Sequence, residues 1–285
     1  MSAPARRRAQ KIFWTFVALV LFAVLVAGAI LLLSGGRFFI IRTPSMGEYA
    51  PVGTLVFSTV FAYQHLQVGD MIVFHPPGTT ETYFHRIHSI VHGIVATKGD
   101  INGSVDPWRI TAHDIVGHEA ARFVGVGWFI QGLPYIIIGA VALHILVHFY
   151  VPFLARFPTL IVGYSVMLSI VSLILKPFVR GVIDSQLVEH GKATIIFVST
   201  GLLGLHLQAT GGTGVNLVPG QVGKVVTEEI GKNGRFNIEL GLHLSPLGWA
   251  GMIAVWLIPL GLCAGYAVVA RRRGWDLIET VEPRC

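Results

Sequence analysis

The 285-residue chain is 53% hydrophobic and only 13% charged, about half the charged fraction of an ordinary soluble domain, and its mean hydropathy is +0.67. Those values exclude a disordered chain, a collagen-like chain and most simple soluble enzymes, and point to a membrane protein with modest water-exposed parts. The net charge of +6 comes from basic residues beside apolar runs, a pattern of membrane orientation and not of nucleic-acid binding.

The first eleven residues carry Arg6, Arg7, Arg8 and Lys11 with no acidic group. Ile12 to Leu33 follows, 22 residues without a charge, enough to cross a hydrocarbon core of about 30 Å. A cleaved signal peptide would need a shorter apolar core, roughly 7–15 residues, and a small-x-small site. Ser34-Gly35-Gly36-Arg37 offers none, so 12–34 reads as a retained anchor. Three more spans are expected at 131–153, 158–175 and 247–270, and Arg271-Arg272-Arg273 opens a tail, 271–285. With four spans both ends lie on one side, and both are basic, which makes them cytoplasmic. The regions 35–130 and 176–246 then face outward. The connector between the second and third spans holds one charge, Arg156, so a re-entrant pair there is the competing topology, with both large regions still on one side.

Both outer regions read as β-rich. In the first, Thr54 to Ser58, Met71 to Phe74, Thr82 to Ile90 and Ile94 to Lys98 are short β-branched or aromatic runs, bounded in several places by glycine or polar residues. In the second, Leu205, Leu207 and Ala209 alternate with His206 and Gln208, as Phe236, Ile238, Leu240 and Leu242 alternate with polar or small neighbours. Gly211-Gly212-Thr213-Gly214 marks a turn. The expected fold is a mixed α and β membrane protein: about four transmembrane helices, an outer β-rich domain at 35–130 and a small all-β module at 176–246.

Chemistry-bearing residues gather in the first outer region. Ser45-Met46 stands a dozen residues beyond the first span, His85-Arg86 forty residues later, and Thr97-Lys98-Gly99-Asp100 leads to Asp106. A hydroxyl, an imidazole and a carboxylate are the parts needed for acyl transfer: nucleophile, base, and a group that fixes the base's tautomer. Residue types alone are weak evidence, since any domain of this size contains them.

Their order adds more. Pro44-Ser45-Met46, Gly69-Asp70-Met71-Ile72-Val73-Phe74, His85-Arg86-Ile87, Thr97-Lys98-Gly99-Asp100 and Asp114-Ile115-Val116-Gly117 resemble signal peptidase I, in the endoplasmic-reticulum and archaeal branch where histidine replaces a lysine base. The resemblance covers about residues 12–130. It implies a membrane-anchored serine endopeptidase of the plasma membrane that removes signal peptides from secretory preproteins by cutting after small residues in an Ala-x-Ala-like pattern. In that reading Ser45 is the nucleophile, His85 the general base and Asp106 the third catalytic residue, favoured over Asp100 by spacing only. Asp100 would support the site or close a turn. Thr43 matches a position where the family often has a hydroxyl that helps the Ser45 N–H bind the oxyanion. Two departures stand out. The family usually shows Ser-Met-x-Pro, whereas the proline here is Pro51, about three residues late, so the loop after the serine differs. The Asn-Asn pair that often follows Gly-Asp is Ile101-Asn102.

Other readings of the same residues are plainer. His75, His88 and His92 compete with His85, but on a strand His85 and His88 face opposite sides, and Arg86 selects His85. Lys98 lies in the Lys-Gly-Asp box and reads as structural. His144 and His148 share a helix face in the second span and read as packing, with no metal ligand set around them. Cys263 and Cys285 leave neither a disulfide framework nor a cysteine zinc site. No metal and no cofactor are expected. The expected partners are preproteins and the bilayer, and the oligomeric state is open. The alternative is a catalytically inactive signal-peptidase-like membrane protein acting as an envelope binding or assembly module. The 176–246 module is expected to serve substrate choice or partner binding and not chemistry, since every matched box precedes residue 130.

Overall fold

The computed structural model describes residues 35–60, 62–231 and 235–272, with scattered positions between 15 and 33. The basic N-terminus, most of the expected 12–34 span and the tail beyond residue 272 lie outside the described residues. The fold is mixed α and β, with several antiparallel sheets and, among the described residues, three helices long and apolar enough to cross a membrane. The chain forms two compact units, Met1–Ile41 with Leu55–Phe123, and Arg42–Thr54 with Val124–Cys285.

The first unit holds a six-stranded antiparallel sheet. Its strands are β1 (Arg37–Ile40), β2 (Leu55–Thr59), β3 (Met71–Phe74), β4 (Tyr83–Val91), β5 (Ile94–Lys98) and β6 (Ile115–Phe123), in the order β1-β2-β6-β3-β4-β5. All four residues of β3 are buried, which explains a continuous apolar run where a half-exposed strand would alternate. Between β4 and β5, His92 and Gly93 both have positive φ, 48° and 76°. That is the two-residue hairpin geometry whose twist matches its flanking strands. A bulge between Ile87 and Ser89 leaves one extra residue on β4, and that residue, His88, is exposed. Ile72, Phe74, Ile87, Val95 and Ile110 form the core, each stabilising the fold by about 1.5–3 kcal/mol relative to exposure. Strands two and four each begin and end one residue later than their apolar runs suggest.

The second unit carries helices α1 (Val126–Tyr150), α2 (Arg156–Leu175) and α3 (Pro246–Arg272). Helix α1 starts at Val126, five residues before the expected 131, just after Gly125 with φ 80°, and runs through Pro134. A proline there removes one backbone hydrogen bond without ending the helix, as apolar spans tolerate. Small residues set the packing of α1 on α2: Gly139 faces Met167, Gly163 faces Leu143, and Gly132 faces Val171 and Leu175. This register makes the two helices antiparallel. His144 Nδ1 lies 3.1 Å from the Tyr164 hydroxyl across the same contact. Arg156, the one charge in the connector, donates to the carbonyls of Val151 (3.1 Å) and His148 (2.9 Å), satisfying groups that a helix end leaves open. Tyr266 on α3 donates to Leu154 O at 2.7 Å.

Six more strands lie between α2 and α3: β7 (Gly181–Glu189), β8 (Lys192–Ser199), β9 (Leu205–Ala209), β10 (Gly214–Leu217), β11 (Val222–Thr227) and β12 (Ile238–Leu242). They form two three-stranded antiparallel sheets, β11-β8-β7 and β10-β9-β12. One core joins them, built from Ala193, Ile195, Phe197, Leu205, Leu207, Ala209, Leu217 and Val225. The alternation of Leu205, Leu207 and Ala209 with His206 and Gln208 is the burial pattern of β9.

Candidate active site

Strand β4 aims His85 and Ile87 to one side of the sheet, since residues two apart share a face. Strand β5 pairs so that Thr97 stands opposite Ile87, which brings Thr97 to the same face. The chain after β5 then folds back. Asp106 N donates to Thr97 O at 2.9 Å, and Ile110 exchanges two backbone bonds with Val95 at 2.8 and 3.0 Å. The Asp106 side chain is thereby carried to His85. Its Oδ2 lies 2.7 Å from His85 Nδ1 and accepts a second bond, also 2.7 Å, from the Thr97 hydroxyl. Both side chains are shut away from solvent, 5% and 6% exposed. Rings of Phe74 and Tyr83 stand against the imidazole at centroid distances of 6.3 and 5.8 Å. Tyr83 donates to Glu81 Oε2 at 3.0 Å, and that bond, with burial, holds its phenol pKa above the usual value.

An imidazole held this way by one nitrogen has its tautomer and ring direction set, and its Nε2 becomes the proton-accepting atom. A buried ionisable pair is poor evidence of stabilisation, because desolvation offsets the attraction.

Asp100 sits elsewhere. Its two oxygens accept from Arg86 Nε and one guanidinium NH2, each at 2.8 Å, while Arg86 also donates to Gly69 O at 3.1 Å. This fork joins the start of β3 to the loop after β5. Lys98, opposite Arg86 in the sheet, points to the face away from Thr97. His75 contacts Glu81 O at 3.1 Å, and His92 lies in the hairpin turn. Asp114 accepts from the Thr111 backbone and hydroxyl at 2.8 and 2.7 Å.

Ser45 and Thr43 belong to the second unit. Gly47 N donates to Pro44 O at 2.8 Å, and Tyr49 N to Met46 O at 3.2 Å, so Ser45 sits in the first of two overlapping turns. Met46 and Ala50 are buried beside it, and the hydroxyls of Thr43 and Ser45 stand 3.4 Å apart. The end of this segment is tied to α1. Gly127 N donates to Gly53 O at 2.9 Å, and Trp128 Nε1 to Val52 O at 3.0 Å. The indole fills the space that a side chain at Gly53 would need.

Thr97 escaped the sequence reading. Its signal was present, as the residue that opens the Thr-Lys-Gly-Asp run and falls opposite Ile87, but only the strand register turns that into contact with Asp106. Among the described residues no three His, Cys, Asp or Glu side chains converge as a metal site would require. No family model matches the sequence, and no curated protein matches it.

Proposed function

We propose that the protein is a membrane-bound serine endopeptidase of the signal peptidase I kind, acting on secretory preproteins. In this reading the first span and the three described helices make four crossings, with basic termini in the cytoplasm of a plasma-membrane protein and both β regions outside. Ser45 Oγ attacks the carbonyl carbon that follows a small side chain. Its proton passes to Nε2 of His85, while Asp106 holds the Nδ1 proton and balances the imidazolium charge. The Ser45 N–H, helped by the Thr43 hydroxyl, faces the oxygen on which negative charge develops. The imidazolium then gives its proton to the leaving amine, and water taken up through the same histidine releases the acyl group. Thr97 fixes the Asp106 carboxylate, and Asp100 serves the fold through Arg86.

The single observation that carries the reading is the buried His85–Asp106 pair at 2.7 Å, with Thr97 on the same oxygen. The test is labelling of the detergent-solubilised chain by a fluorophosphonate, together with cleavage of a peptide bearing an Ala-x-Ala site. Wild type should label at Ser45 and cleave. Ser45→Ala should do neither while inserting normally, because only one oxygen is removed. Cleavage by the alanine variant at near wild-type rate overturns the assignment.

A further inference from the structure

Resting on that reading and deepening it, we infer that the second β region belongs to the Ser45 machinery, with Gly220 as a positioning residue that braces the backbone after the nucleophile. Val218–Gln221 is a tight turn in which Gln221 N donates to Val218 O at 3.0 Å. Pro219 and Gly220 occupy its centre, and Gly220 has φ +83°, the pattern of a type II turn. Its place is fixed. Gly220 N donates to Ser199 O at 2.9 Å and Ser199 N to Gln221 O at 3.0 Å, stitching the turn to the end of β8. Gln221 Oε1 accepts from Val218 N at 2.9 Å as well.

This fixed turn abuts the loop after Ser45. A Cβ on Gly220 would overlap the Gly47 carbonyl oxygen and stand 2.5 Å from Gly47 C and 2.8 Å from Glu48 Cα. Those are backbone atoms, which cannot swing aside as a flexible side chain would. Gly191, at the β7–β8 hairpin with φ +74°, has nothing within 4 Å of the same hypothetical atom. Glycine at 191 answers to conformation alone; at 220 it answers to conformation and to contact. Gly47 in turn donates to Pro44 O at 2.8 Å, closing the turn that holds Ser45. A displacement of Gly47 therefore passes into the backbone on both sides of the nucleophile, where misplacement by about 1 Å costs roughly 10²-fold in rate. The braced stretch is the one whose proline comes later than in Ser-Met-x-Pro. The module thus has a part in the chemistry, through position, that its sequence did not announce.

The experiment compares Gly220→Asn with Gly191→Asn in the full chain. Asparagine accepts positive φ, so both turns survive and only the added Cβ at 220 meets a backbone. Gly220→Asn should lower kcat and the rate of fluorophosphonate labelling at least about tenfold, with KM for a short peptide within about twofold. Gly191→Asn should match wild type in both. Amide exchange at Gly47 and Tyr49 should quicken by about tenfold in Gly220→Asn alone. A folded Gly220→Asn with wild-type kcat and wild-type exchange at Gly47 overturns the inference. If wild type neither labels nor cleaves, the peptidase reading falls, and amide exchange still decides whether Gly220 braces the loop. Should Gly220→Asn fail to insert, Gln221→Ala loosens the turn without adding an atom. It should lower kcat by about threefold at constant KM, and an unchanged kcat there overturns the inference.

Discussion

The two β regions are built from the same local parts and bury different chemistry. Each contains a His-Gly hairpin with two successive positive φ values, His92-Gly93 in one and His190-Gly191 in the other. Each fills its interior with apolar side chains contributed by several strands. The first, however, seals an imidazole–carboxylate hydrogen bond inside: His85 and Asp106 are 5% and 6% exposed. The second keeps its ion pair in water, with Lys192 and Glu228 at 2.8 Å but 59% and 69% exposed. The hydrogen bond between them raises the Lys192 pKa and lowers that of Glu228, a mutual effect that solvent screens to little consequence. Burying an imidazole and a carboxylate works against stability unless both are fully hydrogen-bonded. A region that accepts that burden, using Thr97 to complete the carboxylate, is the region where reactivity is expected.

The widest separation between the regions should come from charge removal. Asp106→Asn should drop kcat by about 10³–10⁴-fold, because the amide no longer fixes the imidazole tautomer. His85→Ala should lose at least as much, and Lys98→Ala should stay within a few-fold of wild type. Lys192→Gln, breaking the exposed pair, should leave kcat and the thermal midpoint unchanged. Peptide cleavage by these four variants, each checked for insertion, measures the contrast. Robust activity in His85→Ala together with loss in Lys98→Ala would reassign the base.

Core truncations sharpen the comparison at smaller size. Ile87 and Ile195 are both essentially fully buried, and replacing either by alanine should cost about 2–5 kcal/mol of stability. Ile87 shares its face with His85 and stands opposite Thr97, so Ile87→Ala should also reduce kcat well below the thermal midpoint. Ile195→Ala should lower the midpoint alone. Parallel melting curves and cleavage rates at low temperature distinguish the two.

The smallest effect belongs to Asp114. Hydrogen bonds from the Thr111 backbone, then from its hydroxyl, hold this carboxyl below its ordinary pKa. A lowered folded-state pKa stabilises the fold above the unfolded value, and that contribution is lost as pH falls below about 4. Asp114→Asn should cost under about 1 kcal/mol at neutral pH and flatten the acid limb of a stability-against-pH curve.

Elements bounded by strong local signals were legible in the sequence. Met71–Phe74 stands between Gly69-Asp70 and His75-Pro76, and Ile94–Lys98 between His92-Gly93 and Gly99, so both strands read to the residue. The start of α1 did not, because Pro134 looks like a boundary whereas its helix begins at Val126, beyond Gly125. Ser45, His85, Asp100 and Asp106 were all visible as candidates. Spacing favoured Asp106 over Asp100, and the strand register supplies the physical reason: Thr97 and the fold-back of the chain carry Asp106, and not Asp100, to the imidazole. Gly220 was not singled out in the sequence. Its partner, Gly47, is remote in the chain, and no local pattern encodes such a meeting.

The segment bearing Ser45 leaves the sheet at Ile40 and rejoins it at Leu55, and those two residues are partners in the β1–β2 ladder. Its ends are therefore fixed before its length is chosen. For a loop of about fourteen residues, adding or removing three changes closure entropy by only roughly 0.2 kcal/mol. Lineages could thus vary this stretch freely as far as the sheet is concerned, and the turn at Gly220 would be the restraint that any new length has to satisfy. Variation in the loop after the serine and variation in the Val218–Gln221 turn should then be inherited together.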